Sequence, residues 1–217
     1  MGREIEIKIP LTEAQYNKIY SVISGNEKLD GIEVDSSELE HIVKNDTYFS
    51  RYNSREESKA AGEPQVIRIR SEKLLSAEAD AMSDECPNGQ IKKQAFFCIK
   101  RKSIENGIEL NREDETYVEN PEVVRDLLLI SGYHQFFEKN KDSFGLYCRS
   151  SVLKGSAFHL ELEKVNALKY LEVEVTDEAN SAGAVRAALE KFVKLFGLDA
   201  AKRDSRSWME ILQGGLN

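Results

Sequence analysis

The stretch Arg3-Glu4-Ile5-Glu6-Ile7-Lys8-Ile9 constrains the fold more than any other part of the chain. Successive side chains of an extended backbone point to opposite faces, so Ile5, Ile7 and Ile9 share one face and Glu4, Glu6 and Lys8 the other. A half-buried strand with its ionic side in water would show the same alternation. Repetition argues against that reading. Val66-Ile67-Arg68-Ile69-Arg70 sets arginines opposite isoleucines, Leu171-Glu172-Val173-Glu174-Val175 sets glutamates opposite aliphatics, and Phe158-His159-Leu160-Glu161-Leu162-Glu163 repeats the pattern. Strands carrying charge of both signs on one face are best explained by a sheet that curls so those faces line a polar cavity. Carboxylates there could hold divalent cations, and Lys and Arg could hold a polyanion, which together suit phosphoryl chemistry.

Totals narrow the class. The 30 basic and 38 acidic residues leave a net charge of −8, which argues against a nucleic-acid or anionic-membrane surface, so any polyanion is met locally. Cys86, Cys98 and Cys148 are far apart and form no zinc or disulfide pattern. Met1-Gly2-Arg3-Glu4 runs straight into a charged strand and no apolar run approaches spanning length, so a cytoplasmic protein is expected. No segment reads as a linker or a repeat, and a single domain over 1–217 is the expectation.

Helices are expected from Thr12 to Ile23, with Thr12 and Gln15 as a capping box, from the Asn120-Pro121 start to Gly132, over 182–196, and in a short piece around Trp208. Within 31–49 the extended pieces are Ile42-Val43 and Thr47-Tyr48-Phe49. Residues 51–63 read as a solvated loop, and 72–94 as an insertion with a short helix at 74–82 and a turn at Pro87-Asn88-Gly89. Asn106-Gly107 marks a hairpin. Tyr133–Asp142 and Phe144–Leu153 read as a second hairpin bending near Gly145, followed by strands 157–165 and 170–175.

Glu4-x-Glu6-x-Lys8 resembles the ExExK signature of the CYTH superfamily, the triphosphate tunnel enzymes that include class IV adenylyl cyclases and thiamine triphosphatases. The order of further elements is similar: Asp46-Thr47-Tyr48-Phe49, Ile67-Arg68-Ile69-Arg70, Ile99-Lys100-Arg101-Lys102, Arg112-Glu113-Asp114-Glu115, Lys139-x-Lys141, Leu162-Glu163-Lys164-Val165, Glu172-Val173-Glu174 and Ser207-Trp208-x-x-Ile211-Leu212. The resemblance implies an α+β fold, an eight-stranded antiparallel β-barrel with helices packed outside, binding a triphosphate with Mg²⁺ or Mn²⁺. It implies Glu4, Glu6, Glu161, Glu163, Glu172 and Glu174 on the metal side. Lys8, Arg68, Lys100, Lys139 and Lys141 would be the catalytic cations, with Arg70, Lys102, Arg149, Glu113 and Glu115 as further substrate contacts. Lys141 stands where the family usually has Arg and trades a bidentate fork for a point charge; Glu163 stands where Asp is usual.

The implied substrates are ATP, inorganic triphosphate or thiamine triphosphate, without nucleic acid or membrane, in a monomer or a homodimer. Glu115 to Lys141 looks most like the cyclase pattern, which would give cyclic AMP and pyrophosphate; hydrolysis, or binding without turnover, are the alternatives. Arg101 is expected to face outward, His41, His134 and His159 to be ordinary histidines, and Trp208 to belong to the core. A lipocalin-like carrier would need apolar inward faces.

Overall fold

The computed structural model describes residues 4–63, 65–75, 93–105, 108–153, 155–176 and 180–214. Its strands are β1 (Glu4–Pro10), β2 (Ile32–Val34), β3 (Glu40–Ser50), β4 (Val66–Leu75), β5 (Lys93–Glu105), β6 (Ile108–Tyr117), β7 (His134–Ser150), β8 (Ala157–Val165) and β9 (Leu168–Thr176). The helices are α1 (Glu13–Ile23), α2 (Arg55–Ala60), α3 (Pro121–Ile130), α4 (Ala182–Leu195) and α5 (Trp208–Gln213). All pairings are antiparallel. The order β7-β3-β4-β5-β6-β1-β9-β8 returns to β7 through the β7–β8 pairing, and β2 adds only a short edge to β7. The curled sheet has its narrowest seam between β1 and β6, where Glu4 opposes Asn111 and Ile5 opposes Leu110. This is the α+β architecture expected, with helices on the outer surface.

The apolar halves of the strands face outward onto helices. Ile5, Ile7 and Ile9 of β1 join Val173 and Val175 of β9 and Leu160 and Leu162 of β8 in one core with Ile19 and Ile23 of α1 and Leu189 and Phe192 of α4. The Phe158 and Phe192 rings stack at 4.2 Å. A smaller core sets Phe49, Ile67 and Ile69 against Leu128 of α3. With the grease outside, the ionic alternate positions must turn inward. Thr12 and Gln15 form the capping box of α1 and Asn120 caps α3, as their side-chain chemistry predicts.

Four local expectations are corrected. The expected hairpin over 133–153 is one continuous strand, β7, which pairs with β3 along its first part and with β8 along its last part. Gly145 sits inside it, paired with Glu40 of β3 and Glu161 of β8, and an added Cβ would meet His159 Nε2 at an ordinary contact distance of 3.6 Å, so this glycine is a strand residue and not a bend. Residues 40–50 form a single strand. Residues 51–63 contain α2, capped by Ser54. Glu72 to Leu75 and Lys93-Gln94 are strand, so the expected insertion shrinks to 76–92, which lies outside the described residues, as does most of the helix expected at 74–82. Asn106-Gly107 also lies outside them, although Glu105 opposes Ile108 on the flanking strands.

Candidate functional site: an ionic tunnel

The strand register brings the alternate charged residues together. Glu6 opposes Glu174, Lys8 opposes Glu172, and Glu172 opposes Glu161. Asp46 lies between Arg70 and Lys139, Lys44 between Glu72 and Lys141, and Lys100 opposite Glu113. Antiparallel pairing keeps directly opposed residues on the same face, so all of these line one concave surface.

On one wall Asp46 has no solvent exposure. It accepts from Arg70 Nε at 2.6 Å and Nη2 at 3.0 Å, lies 3.1 Å from Lys139 Nζ, and is 3.9 Å from Arg68 Nε. Burial pushes its pKa up, but Arg70, Lys139 and Arg68 outweigh that and hold the carboxyl well below the usual range. Arg68 Nη2 reaches Glu113 at 3.4 Å and Glu115 at 3.2 Å. Lys100 meets Glu113 at 2.8 Å and Glu6 at 4.0 Å. Burial raises the Glu113 pKa, and Lys100 and Arg68 then draw it down to about 2.

On the opposite wall Lys141 contacts Glu163, lies 3.0 Å from Glu161 and 3.8 Å from Glu172, and Lys44 also contacts Glu161. Glu161, Glu163 and Glu172 each offer an oxygen within 4.8 Å of the others. Glu163 Oε2 is buried with no hydrogen-bond partner. Desolvation, with Glu172 beside it, drives the Glu163 pKa well above its ordinary value despite Lys141. An orphaned carboxylate oxygen among carboxylates, in a pocket that disfavours its negative charge, fits a divalent cation with hard oxygen ligands.

The expected site residues therefore converge, with three qualifications. The side chains of Glu4 and Lys102 lie outside the described residues. Arg149 is corrected: it is exposed, on the part of β7 that runs past the end of β3 and pairs with β2 at Glu33, away from the buried charges. His159 does lie on the inner face, with Nδ1 3.4 Å from Glu174, but no acidic cluster that could hold a metal includes it among the described residues. Arg101 faces outward and pairs with Asp114, and Trp208 is buried, both as expected.

Three lining residues escaped the sequence reading: Lys44, Asp46 in its role as hub, and Glu72, which accepts from Gln94 at 3.0 Å. Their signal lies in the period-two run Lys44-x-Asp46-x-Tyr48 and in Arg70-x-Glu72, and it is visible only when 40–50 is taken as one strand.

One end of the lumen is stoppered. Trp208 of α5 donates to Glu172 at 3.0 Å and its ring lies 5.5 Å from Lys8 Nζ and 5.4 Å from Lys139 Nζ. It packs with Val165, Tyr170 and Ile211, while Lys8 Nζ donates to the Arg206 carbonyl at 2.5 Å.

The curled antiparallel sheet, with its ionic inner face and its apolar outer faces under helices, matches the CYTH tunnel fold that the motifs imply. Three solved structures share it. A Pyrococcus horikoshii protein is 18% identical, with a TM-score of 0.65 over 98% of this chain and 99% of its own. A candidate adenylate cyclase from Vibrio parahaemolyticus is 15% identical, with a TM-score of 0.63 over 98% of each chain. A candidate adenylyl cyclase from Hippeastrum with a dominant triphosphatase activity is 14% identical, with a TM-score of 0.57 over 99% of this chain and 96% of its own. At these identities the likeness establishes the fold. No family model and no curated protein matches the sequence. Among the described residues no helix is long and apolar enough to cross a membrane.

Proposed function

We propose that the chain is a divalent-metal-dependent enzyme that binds a triphosphate inside the tunnel and acts on it as an adenylyl cyclase, converting ATP to cyclic AMP and pyrophosphate. The observation that carries this reading is the facing of two walls: Arg68, Arg70, Lys100 and Lys139 on one side, Glu161, Glu163 and Glu172 on the other. Each cation is now neutralised by a carboxylate. A triphosphate entering with its metal ions would exchange partners, its oxygens taking the ammonium and guanidinium groups and the metal taking the freed carboxylates. That exchange keeps every buried charge paired, which a triphosphate alone would not.

Glu161, Glu163 and Glu172 would hold Mg²⁺ or Mn²⁺, with Glu6 and Glu174 on neighbouring positions of the same face. The bound metal would supply charge neutralisation of the phosphate chain and activation of an attacking oxygen. The protein's own part is positional. Asp46 aims the Arg70 fork and Lys139 into the lumen, so these donors stand preorganised where charge spreads as the bond to phosphorus lengthens. Buried walls exclude bulk water, which strengthens each contact and favours an internal ribose hydroxyl over solvent as the attacking group.

A second reading, hydrolysis of the terminal phosphate, is favoured by the Hippeastrum neighbour, whose dominant activity is that of a triphosphatase. Purified protein incubated with Mg²⁺ or Mn²⁺ and, separately, ATP, inorganic triphosphate and thiamine triphosphate separates the readings. Cyclic AMP with pyrophosphate supports the cyclase and orthophosphate the hydrolase. Tight binding with no product from any of the three would overturn both in favour of a binding module.

A further inference from the structure

The two ends of the tunnel differ in chemistry as well as access. At the α5 end the lining is buried and charged, with Lys8 and Lys139 against the Trp208 ring and Glu163 buried in the cluster with Glu172. Towards the other end β6 emerges step by step. The Glu113 and Glu115 side chains expose 18% and 38% of their surface, and Tyr117, next on the same face, exposes 60%. A ligand that reaches the cations therefore leaves its outer portion at the Tyr117 end.

That end carries an aromatic step. Phe96 and Tyr117 are directly opposed on β5 and β6, with ring centroids 6.2 Å apart and planes at 81°. On its other side Phe96 directly opposes Arg70. The apolar rings thus adjoin the cationic wall, on a face whose neighbouring positions are Glu115, Cys98, Arg70 and Glu72. Tyr117 stands towards solvent on an ionic face with the half-buried Phe96 ring against it, while Phe97 next door packs under α3, and this leaves apolar area that a flat ligand could cover.

Resting on the triphosphate reading above, we infer that Phe96 and Tyr117 form a subsite for the aromatic base of a base-bearing triphosphate, whose phosphate chain runs inward to Arg70 and Arg68. Stacking on an aromatic side chain tolerates any base and strengthens binding by about tenfold or more. The facing aromatic pair, Tyr147 and His159, is a poorer candidate, because His159 lies against Glu174 and a phosphate chain leading from it would meet carboxylates first. The subsite makes the tunnel selective for a nucleoside triphosphate or a similar aryl-bearing triphosphate over the inorganic chain.

The test is equilibrium binding, with Mg²⁺ present, of a methylene-bridged ATP analogue and of inorganic triphosphate to the wild type and to Tyr117→Ala, Tyr117→Phe and Phe96→Leu. Tyr117→Ala should shift the ratio of the two dissociation constants against the ATP analogue by about tenfold. Tyr117→Phe, which keeps the ring, should hold the ratio, and Phe96→Leu should shift it in the same direction, which covers the case of an alanine variant that folds poorly. An unchanged ratio in both ring-deleting variants, with both ligands still bound, overturns the subsite alone. A wild type that binds neither ligand overturns the triphosphate reading, and the subsite with it.

Discussion

The Asp46 carboxylate accepts both Nε and Nη2 of Arg70, at 2.6 and 3.0 Å, from a side chain with no exposed surface. This fork is the hub of the cationic wall. Arg68 and Lys139 stand around the same carboxylate at 3.9 and 3.1 Å, so one negative charge keeps three positive groups from repelling one another in a low-dielectric wall. Removing the charge while keeping the shape, as in Asp46→Asn, should destabilise the protein by about 3–5 kcal/mol. Urea unfolding measures it. Because inorganic triphosphate would supply the missing negative charge, it should recover more stability in this variant than in the wild type; an equal gain in both would argue that the wall does not receive phosphate.

Stability should fall in acid. The Asp46 carboxyl lies well below its ordinary value, and Glu113 and Glu172 are each held at about 2 by neighbouring cations that outweigh the cost of burial. A carboxylate whose folded pKa is depressed contributes stability that is present above its unfolded pKa, about 4, and is lost as pH falls through the folded value. Denaturation at a series of pH values should therefore show a steep decline from about pH 4 towards pH 2. A flat profile across that window would mean these carboxylates are not paired as described.

Glu163 has the opposite sign. Its pKa is raised, so its ionised form costs stability as pH climbs from the unfolded value towards the folded one. Glu163→Gln should stabilise the metal-free protein at neutral pH by about 1 kcal/mol, because Lys141 keeps Glu161 at 3.0 Å as a partner. The same change should remove most of the thermal stabilisation that Mg²⁺ or Mn²⁺ gives the wild type. A variant that keeps the full metal response would place the cation elsewhere.

Glu6→Gln and Lys8→Met each subtract one charge from the lumen while keeping shape or stem. Both should lower product formation by about a hundredfold or more with circular dichroism unchanged. Lys8→Met should also lower the melting temperature by a few degrees, because Lys8 Nζ holds the Arg206 carbonyl ahead of α5. Normal turnover in both variants would make β1 scaffold only.

Much of the fold and of the site is legible in the amino-acid order. Period-two alternation in β1, β4, β8 and β9 separates an apolar face from an ionic one, and a strand's side-chain geometry is local, so Arg68 with Arg70 and Glu172 with Glu174 could be assigned to one face each. Capping chemistry placed the starts of α1 and α3 for the same local reason. Readings failed where neighbours decide. Nothing in Tyr133–Leu153 says that a Gly within an alternating run is threaded through a sheet and not turned. Arg149 keeps the right parity on β7 yet lies beyond Gly145, where β3 has given way to β2 as the neighbouring strand, and is exposed.

The amino-acid order alone determined which side chains share a face, because alternation is fixed by backbone geometry within a few residues. Only the tertiary structure decided that those faces close on one another. Curling brings Asp46 to Lys139 and Glu161 to Lys44 across 93 and 117 positions of sequence, and it seats Trp208 over one end and leaves Tyr117 at the other. Pairing at that separation depends on register and closure, which no local pattern encodes.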